Sequence, residues 1–226
     1  MRYHIVQAFE ASLRRLQSDH IDVYYMHRWD NMTPIEETLR AVDDLVRMGK
    51  ILYLGASEYA SWQLAHANLL AELRGWTPFV VLQSEYHMFA RQVEREVLPY
   101  CRAYGVGFVP SYPLAGGFLT GKYRRGEPPP AGSRGESSPR VQRYMTAAYY
   151  DTLESLMAWA AAHGRGMNEL AQAWLMAQPR VCSVITGATS LEQMLQNVTA
   201  ASWTLTRAEL DEVNTILEQG GTGAAR

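Results

Sequence analysis

The chain has 226 residues, 47% hydrophobic and 19% charged, with a formal net charge of -2 at pH 7. That length fits a single α/β or barrel domain, and the balanced charge excludes the basic footprint of a nucleic-acid binder. No run reaches the ~18 apolar residues of a membrane span or the apolar core of a leader peptide, and two distant cysteines, Cys101 and Cys182, point to a reduced, cytoplasmic protein.

Val6, Phe9, Leu13 and Leu16 recur at spacings of three and four and predict an amphipathic helix. A short β-rich run, Ile21–Met26, follows. Thr33-Pro34-Ile35-Glu36 then combines a capping box with proline at the first helical position. The helix it opens turns Ile35, Leu39, Val42 and Leu45 inward and stops at Gly49. The cycle repeats with a strand at Ile51–Leu54, a helix over 61–73 closed by Gly75, a strand at Phe79–Leu82 and a helix over 93–104 ended by Gly105. Pro99 is expected to kink that last helix. Val106–Val109 reads as a fourth strand. Residues 116–140 are rich in Gly, Pro and Arg, and they predict a long mobile loop too polar for core. Helices are expected over 151–163 and 167–177, a fifth strand at Cys182–Thr186, and two more capped helices opening at Thr189–Glu192 and Thr206–Glu209.

Strands beginning near 21, 51, 79 and 106 repeat at about the ~30-residue length of a βα unit. Alternating apolar strands and amphipathic helices imply a parallel sheet covered by helices, in either a doubly wound sheet or a (β/α)8 barrel. Polar residues choose between them. His27, Ser57, Gln83 with Tyr86, Ser111 with Tyr112, and Thr186 with Gly187 all fall at the C-terminal tips of strands. A barrel builds its active face from every such tip, whereas a dinucleotide-binding sheet needs a glycine fingerprint that Gly105-Val106-Gly107 does not complete. The expectation is an α/β barrel of the TIM type, incomplete at about five strands, formed as one domain over residues 1–226 with the missing strands on the N-terminal side. Two unpaired sheet edges then predict self-association.

Several segments resemble the aldo-keto reductase family. Asp22-Val23-Tyr24-Tyr25-Met26-His27 is similar to its histidine-bearing strand, and Gly55-Ala56-Ser57 to its Gly-x-Ser-Asn strand end. Val81-Leu82-Gln83-Ser84-Glu85-Tyr86 resembles its Gln-x-Glu-Tyr strand. Pro113-Leu114-Ala115-Gly116-Gly117-Phe118-Leu119-Thr120-Gly121-Lys122-Tyr123 resembles its most specific run, and Gly187-Ala188-Thr189-Ser190-Leu191-Glu192-Gln193 with Asn197 its last motif. The resemblance implies an NADP(H)-dependent oxidoreductase that reduces aldehydes or ketones to alcohols, with a small-molecule carbonyl compound as its partner and neither nucleic acid nor membrane. It also places the family's catalytic aspartate, tyrosine and lysine on strands that would precede Met1. The alternative is a truncated, non-catalytic dinucleotide-binding or regulatory module.

By the same resemblance, His27 orients the substrate carbonyl. Ser57 and Gln83 hold the nicotinamide carboxamide, which needs both a donor and an acceptor. Tyr112, Pro113, Leu114, Ala115 and Gly116 line the pyrophosphate, with Lys122 and Arg134 closing over it. Gly187, Thr189 and Gln193 serve the ribose phosphate, where a helix N-terminus attracts an anion, and Gln196 and Asn197 serve the adenine. Two positions depart from the family pattern. Glu58 stands where asparagine usually follows the serine, and Ser111 stands where many relatives carry a stacking ring. No histidine or cysteine spacing suggests a metal.

Overall fold

A computed structural model describes residues 2–222. In chain order the first elements are α1 (Arg2–Leu16), β1 (Ile21–Met26), α2 (Ile35–Arg47), β2 (Ile51–Ser57), α3 (Ser61–Arg74), β3 (Phe79–Glu85), α4 (Val97–Ala103) and β4 (Gly107–Ser111). The α5 (Arg134–Ser137), α6 (Pro139–Gln142), α7 (Ala147–Ala162), α8 (Met167–Met176), α9 (Leu191–Ala200) and α10 (Arg207–Gln219) helices follow. The fold is α/β. Four strands form one sheet in the order β1-β2-β3-β4, with parallel pairing from β1 to β2 and from β2 to β3. Among the described residues no helix is long and apolar enough to cross a membrane.

The chain divides into two compact units. Residues up to Ser84 together with Glu96–Phe108 form the first; Glu85–Arg95 and the chain from Val109 onward form the second.

In the first unit α2 buries the face that its periodicity forecasts, whereas α1 does so in part, with Val6 half-buried and Leu16 63% exposed. Ile5, Phe9 and Leu13 of α1 are buried, and the Phe9 ring meets Tyr24 of β1 edge-on at 5.2 Å. Ile35, Leu39, Val42 and Leu45 of α2 are buried as expected. Gly55 pairs with Tyr25 across β2 and β1, and a Cβ at Gly55 would lie 2.6 Å from the Tyr25 ring, so only glycine lets that ring lie flat on the neighbouring strand. The start of β3 is held by a side chain of α3. The Asn68 amide donates to Phe79 O at 3.0 Å and accepts from Phe79 N at 2.9 Å.

The second unit packs around Trp174, Tyr86, Phe118 and Tyr144, all fully buried. Trp174 of α8 donates from Nε1 to Asn214 Oδ1 of α10 at 3.1 Å. Thr206 caps α10 by accepting from Glu209 N at 3.3 Å, and Glu209 accepts from Thr206 N at 2.6 Å, the reciprocal box forecast from sequence.

Several local expectations are corrected. Thr33 does not cap α2; its hydroxyl donates to Asp30 Oδ2 at 2.7 Å, and Pro34 occupies the cap without a side-chain bond. The cap of α9 is Ser190, one residue later than expected, and it accepts from Gln193 N at 3.3 Å. Pro99 kinks nothing, because the chain makes a separate short turn at Gln92–Glu94 and α4 begins at Val97. That start puts Pro99 in the first turn, where a missing N–H costs no helical bond. Cys182–Thr186 makes no ladder among the described residues. Its β-branched residues supply propensity, but a strand persists only where a neighbour pairs its backbone. The segment 116–140 does contribute to the core. Phe118, Leu119 and Tyr123 are buried there, carried by a short helical stretch, Ala115–Thr120, and its continuation. Apolar residues spaced among glycines and prolines were enough to build a packed cluster.

Candidate active site

Within the first unit, the parallel register sets three candidate residues on adjacent strand ends. Met26 pairs with Ala56, so His27 follows one residue beyond the β1 pairing, and Ser57 pairs directly with Gln83. His27 is exposed and Ser57 is buried. A serine hydroxyl beside a glutamine amide offers both a donor and an acceptor. Glu58, next in line, lies at φ 54 and donates its N–H to Gln83 O at 2.8 Å. Asparagine tolerates that left-handed backbone better than glutamate does. The departure at Glu58 is therefore conformational as well as chemical.

The second unit holds the other candidates in two groups. The first is the turn after β4. Ser111 accepts from Tyr86 N at 3.2 Å, and the backbone then runs through positive φ at Tyr112 (60), Ala115 (49), Gly116 (68) and Gly117 (104). Ala115 N–H donates to Tyr112 O at 2.9 Å and Gly117 N–H to Leu114 O at 2.8 Å, which folds the Pro113–Gly116 segment into a compact turn. Tyr112 covers this turn. Its ring packs on Gly116 and carries the Arg140 guanidinium 4.0 Å above its centre. Tyr112 is thereby engaged on its own loop, with ring contacts to Gly116, Arg140 and, at 6.4 Å, His87. Lys122 is exposed, with Nζ 5.2 Å from the Tyr123 ring centre. Tyr123 in turn accepts from Gly135 N at 3.0 Å, so Lys122 and the exposed Arg134 each neighbour one partner of that bond.

Gly116→Ala should unfold this turn locally. A Cβ there would sit 2.6 Å from Val141 Cγ2 and against the Tyr112 hydroxyl, at a φ of 68. We expect about 1–3 kcal/mol of lost stability, read as a lower urea midpoint. Equal midpoints for variant and wild type would contradict the packing.

The second group surrounds α9. Thr189 donates from its N–H at 2.8 Å and from its hydroxyl at 3.1 Å to Gln193 Oε1. Gln196 donates to Glu192 at 3.4 Å. Asn197 Oδ1 accepts from Asn168 at 3.3 Å and Gln172 at 3.2 Å, and its amide reaches Gly187 O at 3.5 Å. Gln196 also lines a cavity of about 630 Å³ between α8 and α9, with Thr120, Met167, Asn168, Leu191 and Leu195. Gly187, Thr189, Gln193, Gln196 and Asn197 lie along one short stretch of chain at α9. No group of three His, Cys, Asp or Glu suited to a metal ion occurs among the described residues.

One polar cluster was not anticipated. Glu85 Oε2 accepts from Arg140 at 2.6 Å and Oε1 from Arg143 at 3.0 Å. The buried His87 accepts Phe89 N–H on Nδ1 at 3.2 Å, so its proton sits on Nε2, which lies 3.2 Å from the Tyr144 hydroxyl and 3.4 Å from Glu85. Hydrogen bonding from His87, then from Arg140, holds the Glu85 carboxyl down at about 2 despite burial. Burial keeps His87 neutral by pushing its value down, and burial pushes Tyr144 up to about 12. The only signal for this cluster in the sequence is that Glu85 falls within the Gln-x-Glu-Tyr motif. Its partners lie 55 and 58 residues away, beyond any spacing rule.

The sequence profile of the aldo/keto reductase family matches residues 1–218. A probable voltage-gated potassium channel subunit beta from Oryza sativa subsp. japonica is 39% identical over 88% of this chain and 62% of its own length. Aldo-keto reductase family 7 member A3 from Homo sapiens is 36% identical over 85% of this chain and 62% of its own. An uncharacterized oxidoreductase from Bacillus subtilis (strain 168), YrpG, is 34% identical over 97% of this chain and 65% of its own. The chain therefore spans somewhat under two thirds of the length of these relatives. With a profile match across nearly its whole length and relatives above one third identity, this chain belongs to the aldo/keto reductase family.

Proposed function

We propose that the protein to which this chain belongs is an NADP(H)-dependent reductase of aldehydes or ketones. The observation that carries this reading is the register that sets His27, Ser57 and Gln83 on the ends of three neighbouring parallel strands. Barrels of this architecture gather their active sites at strand ends of this kind. Ser57 with Gln83 fits a carboxamide in donor and acceptor chemistry. The Thr189–Gln193 segment, at the capped start of the ten-residue α9, fits a phosphate. NADP(H) would supply the hydride when bound. His27, exposed beside Ser57, would donate to the substrate carbonyl oxygen and fix its orientation. Proton delivery to that oxygen is assigned to no residue of this chain.

A second reading is a dinucleotide-binding module without turnover, and the state of the tyrosines favours it. Tyr86 is buried and donates to Glu94 at 2.7 Å, Tyr112 is covered by Arg140, and Tyr144 is packed against His87. None of the three is poised as an acid.

Titration with NADPH, followed by cofactor fluorescence and then by 340 nm absorbance after adding an aromatic aldehyde, separates the readings. Saturable binding with turnover supports the reductase, and binding without turnover supports the module. Absence of binding removes both. Gln83→Ala should weaken NADPH binding by about 2- to 10-fold, the worth of one net hydrogen bond.

A further inference from the structure

Apart from the cofactor residues, the first unit carries a ring-walled hollow in the loop from β1 to α2. We propose that Trp29, backed by Trp62, and His66, together with the carboxylates of Asp30 and Glu36, form a binding site for a quaternary ammonium cation. The site stands on residues of the first unit alone and does not depend on the reductase reading.

The hollow has a volume of about 360 Å³ and is lined by Trp29, Asp30, Met32, Pro34, Glu36 and His66, among others. That is the lower end of the range for small-molecule pockets. Trp29 is its hub. Its ring lies 5.3 Å from Tyr59 at 82°, 5.8 Å from Trp62 at 60° and 6.3 Å from His66 at 42°. Tyr59 anchors the group to the core, being buried and in edge contact with Phe79 at 5.7 Å. The remaining walls are open. Met32 on this loop is 91% exposed, and Trp62 of the neighbouring α3, packed on Trp29 outside the lining, is 62% exposed.

The electrostatics fix the sign of the ligand. Asp30 accepts from Met32 N at 2.8 Å and from the Thr33 hydroxyl at 2.7 Å. The backbone bond from Met32, then that from Thr33, keeps the carboxyl below its usual range, so it is a fixed anion near neutral pH. Its charge is felt by the ring cluster. Burial, reinforced by Asp30, pushes the Tyr59 hydroxyl up to about 12. Glu36 and Glu37 stand in the first turn of α2, where they offset the positive end of the helix dipole. The lining contains no lysine or arginine. Indole faces attract cations through their quadrupole, most strongly where the charge is diffuse and weakly hydrated. A quaternary ammonium meets both conditions. A metal ion is not favoured, because Asp30, Glu36 and His66 of the lining are not gathered into a group that could ligate one.

The test is calorimetric titration of the full chain with choline, in parallel with its neutral isostere 3,3-dimethylbutan-1-ol. Choline should bind saturably, at least about 10-fold tighter than the isostere, and should weaken as salt is raised. His66→Ala and Glu36→Gln both alter exposed side chains of the lining, which keeps folding out of the comparison. Each should weaken choline binding by about 3-fold or more while circular dichroism stays unchanged. Equal binding of the neutral isostere would make the hollow a plain apolar pocket and overturn the proposal. So would undetectable choline binding, or affinity indifferent to both substitutions.

Discussion

Trp174→Ala is expected to destabilise the protein by about 3–5 kcal/mol, the range for removing a large aromatic side chain from a packed core. Three independent contacts argue for the upper part of that range. The ring is wholly buried and meets Tyr86 at 5.3 Å, so its removal leaves a cavity walled by a side chain that cannot collapse freely. Its Nε1 is the donor to Asn214 Oδ1 at 3.1 Å, and the amide of α10 would lose that partner. The Arg91 guanidinium, 5.4 Å from the ring centre, would lose its aromatic face while keeping its pairing with Glu94 at 2.8 and 3.0 Å. Urea unfolding of wild type, Trp174→Ala and Trp174→Phe checks this. The phenylalanine variant should recover much of the packing but not the hydrogen bond. A shift under about 1 kcal/mol for the alanine variant would mean that the second unit does not depend on this core.

Asp43→Ala should cost about 3 kcal/mol, in line with breaking a buried charged hydrogen-bond group. Asp43 is 3% exposed and accepts from Thr77 N at 2.8 Å, from the Thr77 hydroxyl at 2.9 Å and from Arg47 Nε at 2.6 Å. It ties the end of α2 to the turn before β3, and Arg47 reaches on to Gly75 O at 2.8 Å. Burial alone would raise its pKa; the bonds from Arg47 and Thr77 outweigh burial and hold it below its usual value. A folded-state pKa below the unfolded one means that this stabilisation is complete above the unfolded value, near 3.9. It is lost as pH falls through the lower folded value. Wild type should therefore shed this part of its stability in the acid range, and Asp43→Ala should not. Parallel acid-unfolding curves for the two proteins would contradict the assignment.

Both residues show where sequence reading succeeds and where it stops. Ile35, Leu39, Val42 and Leu45 were legible because helical burial follows a period, and Asp43, one position from Val42, was not, because its partner Thr77 lies 34 residues away. The four ladder strands were legible from short β-rich runs at regular intervals. Cys182–Thr186 has the same composition and forms no ladder, since pairing depends on a neighbour that composition does not describe. The caps divide in the same way. Thr206 works as read because nothing competes for its hydroxyl, whereas Thr33 is taken by Asp30. For the candidate site, motif order located the strand-end residues and the Thr189–Asn197 stretch. It could not foresee that Arg140 would occupy the Tyr112 face, or that Glu85, His87, Arg143 and Tyr144 would converge.

The division of the chain at Ser84, Arg95 and Phe108 bears on how the protein is made. During synthesis the first unit is not complete until Phe108 has emerged, and by then residues 85–95 of the second have already left the ribosome without the rest of their unit. Tyr86 and Arg91 belong to that early segment and must wait for Trp174, more than eighty residues later, before their ring and cation contacts exist. A break after Phe108 leaves the first unit whole and one before Glu85 leaves the second whole, but no single break delivers both. Two overlapping fragments, 1–108 and 85–226, would each carry one complete unit.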